Sequence, residues 1–404
     1  MTDLKTPEPK DYKTLELFEV DYDKWVNQLW ESDDDIGQCE EGFINAKEIW
    51  DQYQFELPKT KPTVGTLFMG GGGADLGLEA AGFKSLWGIE RDPKIAKVAQ
   101  LNFPNTKVFN QCVGETRIHH LERVNLLWMS PPCQQYSNAR RGDIPDHKDK
   151  DAGLYCCDYI AILSPRWVIL ENVPGYAKSP TFEAILRSLI DCGYRYHWLI
   201  LDAADHGVPQ NRKRLIMWAV KNDQPIPYFP ESKPKKGWYQ AIADLIPEMQ
   251  DCEFADWQIK RLNELGYLPE KALVDISKNR HKPATVRDGN DPSFTLLTDH
   301  GGYHSPILLI PRAGASVNNI IPTPQNQPSP TIRAMTSGRH THWADIVQGS
   351  QIKRISQKAT ARLQTFPDSY QFPESKSLSQ QIIGNAVPPL LAKELGLAIL
   401  KSIN

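Results

Sequence analysis

The sequence predicts a doubly wound α/β domain, and three observations carry that expectation. A strand-like run, Thr63-Val64-Gly65-Thr66-Leu67-Phe68, leads at once into Gly70-Gly71-Gly72-Gly73 and then into a helical stretch closed by Gly82. A second strand, Ser85 to Ile89, ends on Glu90, 22 residues after Phe68. Short apolar strands then alternate with helical stretches as far as Val220, the order of a sheet with helices packed on its faces.

Length and composition bound the rest. At 404 residues the chain has room for two domains and a substantial core. No apolar run approaches a membrane span, and Met1 to Lys13 is polar with no signal-peptide core. Seven cysteines, an odd number without a C-x-x-C pair, argue against a disulfide framework or a metal site. A reducing, cytoplasmic compartment is the expectation. Charge is uneven: residues 1–62 hold 16 acidic and 7 basic side chains, which leaves the remainder at about +6. Lys278 to Arg339 has seven Lys/Arg against three Asp, with five histidines in or beside it. Such a stretch suits a polyanion, although a solvated face would look similar.

In order, residues 1–62 alternate aromatic and acidic side chains, with one amphipathic helix expected over Phe43 to Tyr53. A docking extension and a partly ordered arm both fit. The glycine turn after Phe68 lets a ligand approach the backbone, and the helix behind it offers free N–H groups. A glycine run alone fits a flexible loop equally well. Glu90, at the tip of the second strand, suits ribose hydroxyls. Pro93 to Asn102 reads as a helix and Lys107 to Phe109 as a third strand.

Val124 to Met129 is a short buried strand, followed by Ser130-Pro131-Pro132-Cys133-Gln134-Gln135-Tyr136-Ser137. The prolines end ladder pairing and stiffen the turn that carries Cys133. By itself this fits an inert buried cysteine as well as a presented nucleophile. Gln134 to Gly153 is polar, lacks helical periodicity and reads as a lid. Leu154 to Leu163 is helical, Trp167 to Leu170 is a strand ending in Glu171-Asn172-Val173-Pro174, and Phe182 to Cys192 is a helix capped by Gly193. Strands Arg195 to Leu201 and Arg214 to Val220 are joined through Gly207 to Arg214, a solvated turn or a fork of donors.

Four prolines in Gln224 to Pro234 mark a boundary. From there to about Ser350 loops dominate, with a short duplication: Pro292-Ser293-Phe294-Thr295-Leu296, with Gly302 and His304, recurs 36 residues on as Pro328-Ser329-Pro330-Thr331-Ile332, with Gly338 and His340. Arg354 to Phe366 looks helical. After Gly384-Asn385-Ala386-Val387-Pro388-Pro389 an apolar helix runs to the C-terminus.

These motifs resemble, in order and spacing, the cytosine-C5 DNA methyltransferase family. The likeness runs through Phe68 to Gly73, Glu90, Pro132-Cys133-Gln134, Glu171-Asn172-Val173, Gln210-Asn211-Arg212-Lys213-Arg214, Arg362-Leu363-Gln364-Thr365-Phe366-Pro367 and Gly384 to Pro389. It covers 63–221 and 353–404 well, 222–352 by position, and 1–62 not at all.

The resemblance implies a Rossmann-like class I methyltransferase domain over 63–221 and a smaller, loop-rich target-recognition domain over 222–352. Residues 353–404 would return to the catalytic domain, and 1–62 would be an acidic extension. S-adenosylmethionine would lie against Phe68, Gly70, Gly72, Gly73, Glu90, Arg91, Cys112, Val113, Pro132, Leu154, Asn385 and Val387. Cys133 would attack cytosine C6 as the thiolate, activating C5 for methyl transfer and later loss of its proton. Glu171 would hold ring N3 and the exocyclic amine. Arg214, supported by Arg212, would bind the O2 carbonyl. The base would be flipped out of a specific double-stranded DNA sequence by a monomeric enzyme, as in restriction-modification. Three features depart from the family pattern: Cys112 stands where an Asp usually reads the adenine amine, Thr66 replaces a common acidic residue, and 1–62 is additional.

Two other readings remain. One is the same fold acting on RNA, since a related branch also carries Ser-Pro-Pro-Cys, although its Cys-Phe-Thr signature is absent. The other is a non-catalytic DNA-binding relative, which would typically lack the cysteine or Glu-Asn-Val.

Overall fold

The structure is a computed structural model that describes residues 61–132, 152–222, 224–253, 262, 272–275, 285–295, 307–311 and 350–402. The helix expected at Phe43 to Tyr53, Cys133, most of the expected lid and the second copy of the duplication lie outside these residues.

Seven strands form the main sheet in the order β3-β2-β1-β4-β5-β7-β6. They are β1 (Thr63–Leu67), β2 (Lys84–Ile89), β3 (Lys107–Phe109), β4 (Leu126–Met129), β5 (Trp167–Asn172), β6 (Tyr194–Asp202) and β7 (Lys213–Lys221). The first five are mutually parallel; β7 runs antiparallel to both β5 and β6. The chain reverses at β1, so the C-terminal ends of β1 and β4 open on a crevice of the kind that receives ligands in such sheets.

Near-continuous apolar runs are what a sheet covered on both faces requires. Alternate residues go to opposite cores: Leu126, Trp128, Trp167, Ile169, Ile216 and Trp218 to one, Leu127, Met129, Val168, Leu170, Leu215 and Met217 to the other. Helices α3 (Tyr155–Leu163) and α4 (Pro180–Asp191) cover the second face through Cys156, Tyr159, Ile160, Phe182, Ile185 and Leu189. The first is covered by α1 (Gly73–Ala81) and, from the far end of the chain, α8 (Pro389–Lys401). A Cβ on Gly77 would sit 2.1 Å from the Pro389 carbonyl oxygen, and one on Gly396 2.8 Å from the Ala81 Cβ. Two glycines therefore let these helices touch at backbone distance.

Helix α2 (Pro93–Asn102) starts where expected, with the Asp92 carboxylate accepting from the Lys94 and Ile95 amides. Beyond the proline-marked boundary the structure is more regular than the sequence suggests. Strands β8 (Ala272–Asp275), β9 (Thr285–Asp288), β10 (Ile307–Pro311) and β11 (Ser350–Arg354) form an antiparallel sheet in the order β11-β10-β8-β9. Helices α5 (Trp238–Ile242) and α6 (Gln357–Leu363) share a core through Trp238, Ile242, Leu273, Ala359 and Leu363. Strand β11 runs through the 352/353 division, so the helix expected from Arg354 starts later, at Gln357, capped by the Ser356 hydroxyl.

Helix α7 (Lys376–Asn385) was not legible in its polar sequence. Together α7 and α8 span Lys376–Lys401, a stretch long and apolar enough to cross a membrane, contrary to the sequence expectation. Most of it is buried, α8 against the sheet and α7 through Ile382 and Ile383 against Ile95, Phe366 and Tyr370, and the chain breaks between the two helices at Ala386–Pro388.

Candidate active site

Among the described residues, expected site residues from β1 to β5 line the C-terminal edge of the sheet, and Val387 from the C-terminal segment meets Gly73 there. After β1 the backbone turns sharply: Phe68 has φ 57°, Gly70 58° and Gly72 80°. The turn is closed by the Gly72 amide donating to the Met69 carbonyl at 3.0 Å. Its glycines differ in what surrounds them. A Cβ on Gly71 would meet Ile382, on Gly72 the Phe103 ring, and on Gly73 the Val387 carbonyl, whereas one on Gly70 would meet nothing within 4 Å. Gly70 thus leaves the open notch of the turn. Tyr370 buttresses it from the C-terminal segment, its hydroxyl donating to the Gly71 carbonyl at 2.7 Å.

Glu90 is tied to that notch. One carboxylate oxygen accepts from the Gly70 amide at 2.9 Å, the other from the Asp92 amide at 2.8 Å. Burial raises its carboxyl above the ordinary value, while the two amide bonds pull the other way. Each oxygen keeps a lone pair for a further donor. The Asn110 side-chain amide holds the same turn by donating to the Glu90 and Arg91 carbonyls at 3.0 and 2.9 Å. Cys112 and Val113 follow at the start of a 3-10 turn, with the Val113 carbonyl accepting from the Tyr159 hydroxyl. Leu154, at 41% exposure, lies at the mouth of α3. Tyr155 beside it lays its ring on Gly114.

Glu171 and Arg214 meet directly. Residues 171 and 172 of β5 pair with 216 and 215 of β7, so Arg214 stands just past the ladder's end. Its Nε lies 2.9 Å from Glu171 Oε1, with both side chains largely buried. The neighbouring Asn172 reaches the cysteine turn: its Nδ2 donates to the Pro131 carbonyl at 3.0 Å. Pro132 is partly buried at the end of that turn, and Cys133 is the next residue in the chain.

Arg212, expected to support Arg214, reaches the C-terminal segment. It is 2% exposed, and its Nη2 donates to the carbonyls of Gly384 and Ala386 at 2.8 and 2.9 Å. Gln210 donates to Gln364 Oε1 at 2.6 Å, and Gln364 in turn donates to the Ala386 carbonyl at 2.7 Å. This polar network holds the turn carrying Asn385, which is exposed, and Val387, which is buried. Gln364, Tyr370 and Asn110 are supporting residues beyond those the sequence nominates. Only the motif around Gln364 signalled any of them.

Thr66, standing where an acidic side chain is common, donates its hydroxyl to Asp75 at 2.9 Å, as does Ser85 at 3.0 Å. Asp75 is fully buried in the first turn of α1, and burial pushes its carboxyl up to about 6.

Residues 63–401 match the family described as C-5 cytosine-specific DNA methylase. The chain is 26% identical over 371 residues to the type II methyltransferase M.XorII of Xanthomonas oryzae pv. oryzae, covering 85% of this chain and 86% of that one. It is 28% identical over 346 residues to the type II methyltransferase M.HindV of Haemophilus influenzae, covering 83% and 95%. Its fold matches the crystal structure of the S. pombe Dnmt2 methyltransferase with a TM-score of 0.58 at 15% identity, covering 85% of this chain and all of that one. The Entamoeba histolytica methyltransferase EhMeth matches with the same TM-score at 16% identity, covering 86% and 100%.

Proposed function

The chain belongs to the C-5 cytosine-specific DNA methylase family, and from that premise we propose that it methylates one cytosine of a specific duplex sequence through Cys133, Glu171 and Arg214. The observation that carries this reading is the buried Glu171–Arg214 pair, 2.9 Å apart, on the strand end whose next residue, Asn172, grips the cysteine turn.

Each side chain answers a need of the reaction. Cytosine C5 is a weak nucleophile until a group adds at C6. The Cys133 thiolate forms an S–C6 bond, placing electron density on C5. Glu171 accepts from the exocyclic amine and shares a proton with N3, drawing charge into the ring. Arg214 donates to O2 and fixes the shared carboxylate–guanidinium plane. Once C5 has used that density to form its bond to a methyl group, loss of the C5 proton to a base and cleavage of the S–C6 bond restore the aromatic ring, now methylated, and the thiolate. The base must leave the duplex to reach these groups.

The family uses S-adenosylmethionine, which supplies an electrophilic methyl group. The residues present fit it: Gly70 keeps a notch that a Cβ would fill, and the Glu90 oxygens retain lone pairs for ribose hydroxyls. Val113, Leu154 and Val387 would supply apolar wall, and Asn110 would hold the Glu90–Arg91 turn in place. In this reading Arg212 positions the Gly384–Ala386 turn, and recognition of the duplex falls to 222–352 with a monomeric enzyme.

The test is direct. Purified protein, S-adenosylmethionine and plasmid DNA should yield 5-methylcytosine at one sequence, mapped by bisulfite sequencing. Cys133→Ala should abolish both the product and the covalent adduct with duplexes containing 5-fluorocytosine, whose fluorine cannot leave as a proton. An adduct formed by the alanine variant would remove Cys133 from the role, and methylation of RNA alone would replace the substrate.

A further inference from the structure

The turn that launches the strand carrying Arg214 is bonded along both edges. On the large-sheet side, the Arg212 amide donates to the Asp202 carboxylate at 2.7 Å, and the Arg212 carbonyl accepts from the Ala203 amide at 3.1 Å. On the other side lies Pro292–Thr295, the first copy of the duplicated sequence, which leaves β9 of the small sheet. The Ser293 amide donates to the Pro209 carbonyl at 3.0 Å, and the Asn211 amide to the Ser293 carbonyl at 2.7 Å. Gln210 and Ser293, paired as a parallel bridge, are fully buried. The Thr295 hydroxyl then donates to the Asn211 carbonyl at 2.6 Å.

The segment is held equally firmly at its origin. The amides of Trp238 and Tyr239, at the start of α5, donate to the carbonyls of Asp291 and Gly289, and the Asp288 amide donates to the Asp291 carboxylate. A shift of the small sheet therefore reaches Asn211 through hydrogen-bonded backbone that is buried at Pro292 and Ser293. Asn211 is three residues from Arg214.

We propose that Thr295 is a positioning residue that couples the small sheet to the Arg214–Glu171 pair, so that a correct duplex is registered as faster chemistry and not only as tighter binding. This rests on the function proposed above. The two backbone bonds survive any side-chain substitution at 295, which leaves the Thr295 hydroxyl as the adjustable contact. A hydroxyl–carbonyl bond is short and directional, so a small displacement of the segment breaks it. Misplacement of a substrate-binding group by about 1 Å is enough to slow a reaction on the order of a hundredfold.

The test uses the full chain on two duplexes: the sequence that the wild type modifies, mapped first by bisulfite sequencing, and the same duplex with one mismatched position. Thr295→Val removes the hydroxyl at nearly constant shape, and Thr295→Ser keeps it. With Thr295→Val, kcat on the correct duplex should fall about tenfold while KM for DNA and for S-adenosylmethionine stays within about twofold. The kcat ratio between correct and mismatched duplex should fall with it, and Thr295→Ser should remain near wild type. Hydrogen exchange supplies a readout independent of turnover: in the wild type, amides of 209–215 should be better protected on the correct than on the mismatched duplex. A valine variant with unchanged kcat, a change confined to KM, or equal slowing on both duplexes would overturn the coupling. So would wild-type exchange that is identical on the two duplexes, whether or not the valine variant folds. A wild type that makes no 5-methylcytosine would overturn the proposed function instead.

Discussion

Asn172 donates its side-chain amide to the Pro131 carbonyl at 3.0 Å, across 41 residues of sequence, and so ties the end of β5 to the turn that precedes Cys133. Its Oδ1 meanwhile accepts from the Val173 amide at 2.8 Å, which fixes the amide's orientation. Asn172→Asp keeps the shape and the acceptor but removes the donor. The variant should form the covalent adduct with 5-fluorocytosine duplexes on the order of a hundredfold more slowly. Its folding stability should fall by only about 1–3 kcal/mol for the lost buried bond. Adduct formation at the wild-type rate in single-turnover experiments would show that the cysteine turn needs no such tether.

Two glycines separate binding from folding. Gly77→Ala forces a methyl group onto the Pro389 carbonyl oxygen and should push α8 off α1, destabilising the protein by several kcal/mol, on the order expected for overpacking. Gly70→Ala meets no neighbour and carries only the left-handed backbone penalty of about 1–2 kcal/mol. It should fold, yet bind S-adenosylmethionine at least tenfold more weakly by calorimetry. Unchanged affinity in Gly70→Ala would place the cofactor elsewhere.

Asp75 makes stability depend on pH in a definite direction. Its carboxyl is raised in the fold to about 6 from the ordinary 3.8, chiefly by complete burial. A raised folded-state value means that the native protein holds the proton more tightly than the unfolded chain. The favourable contribution is therefore fully present below about 3.8 and is lost as pH rises through about 6. Asp75→Asn removes the titration. The stability of this variant relative to wild type should rise by roughly 2–3 kcal/mol between pH 4 and pH 8, an upper figure from the shift. Denaturant titrations of both proteins across that range measure it; a pH-independent difference would mean the carboxyl titrates normally.

The region from about Gln224 to Ser350 should determine which DNA sequence is modified. Its small sheet leads directly into Pro292–Thr295 beside the Arg214 strand, and the locally basic Lys278 to Arg339 lies within it. Replacing a phosphate-binding Lys or Arg there should weaken all DNA alike and reduce the salt slope by about one unit. Grafting 224–350 from a relative with a different target should transfer the target, read by bisulfite mapping. An active chimera that still modified the original sequence would move recognition out of this region.

Sequence alone determined the large sheet's elements from β1 to β7 and named the candidate groups at its edge. Strand periodicity and turn chemistry are local, so Phe68 to Gly73, Glu90, Pro131-Pro132, Glu171-Asn172 and Arg214 declare themselves within a few residues. The small sheet was read as loops because its strands are short, with four residues in β8 and five in β10. The pairings of β10 with β8 and β11 also join residues far apart in sequence, such as Ile307 with Val274 and with Arg354. Tertiary structure alone decided where the polar side chains of the supporting shell would aim. Arg212 and Arg214 sit two residues apart and look alike in sequence, yet one engages carbonyls 172 and 174 positions on and the other a carboxylate on β5. A buried guanidinium goes to whichever acceptor the packed chain brings within 3 Å, because leaving it unpaired would be far costlier than any local preference. The Arg212 acceptors, the Gly384 and Ala386 carbonyls, belong to the segment that leads into α8, which packs on α1 through Gly77 and Gly396.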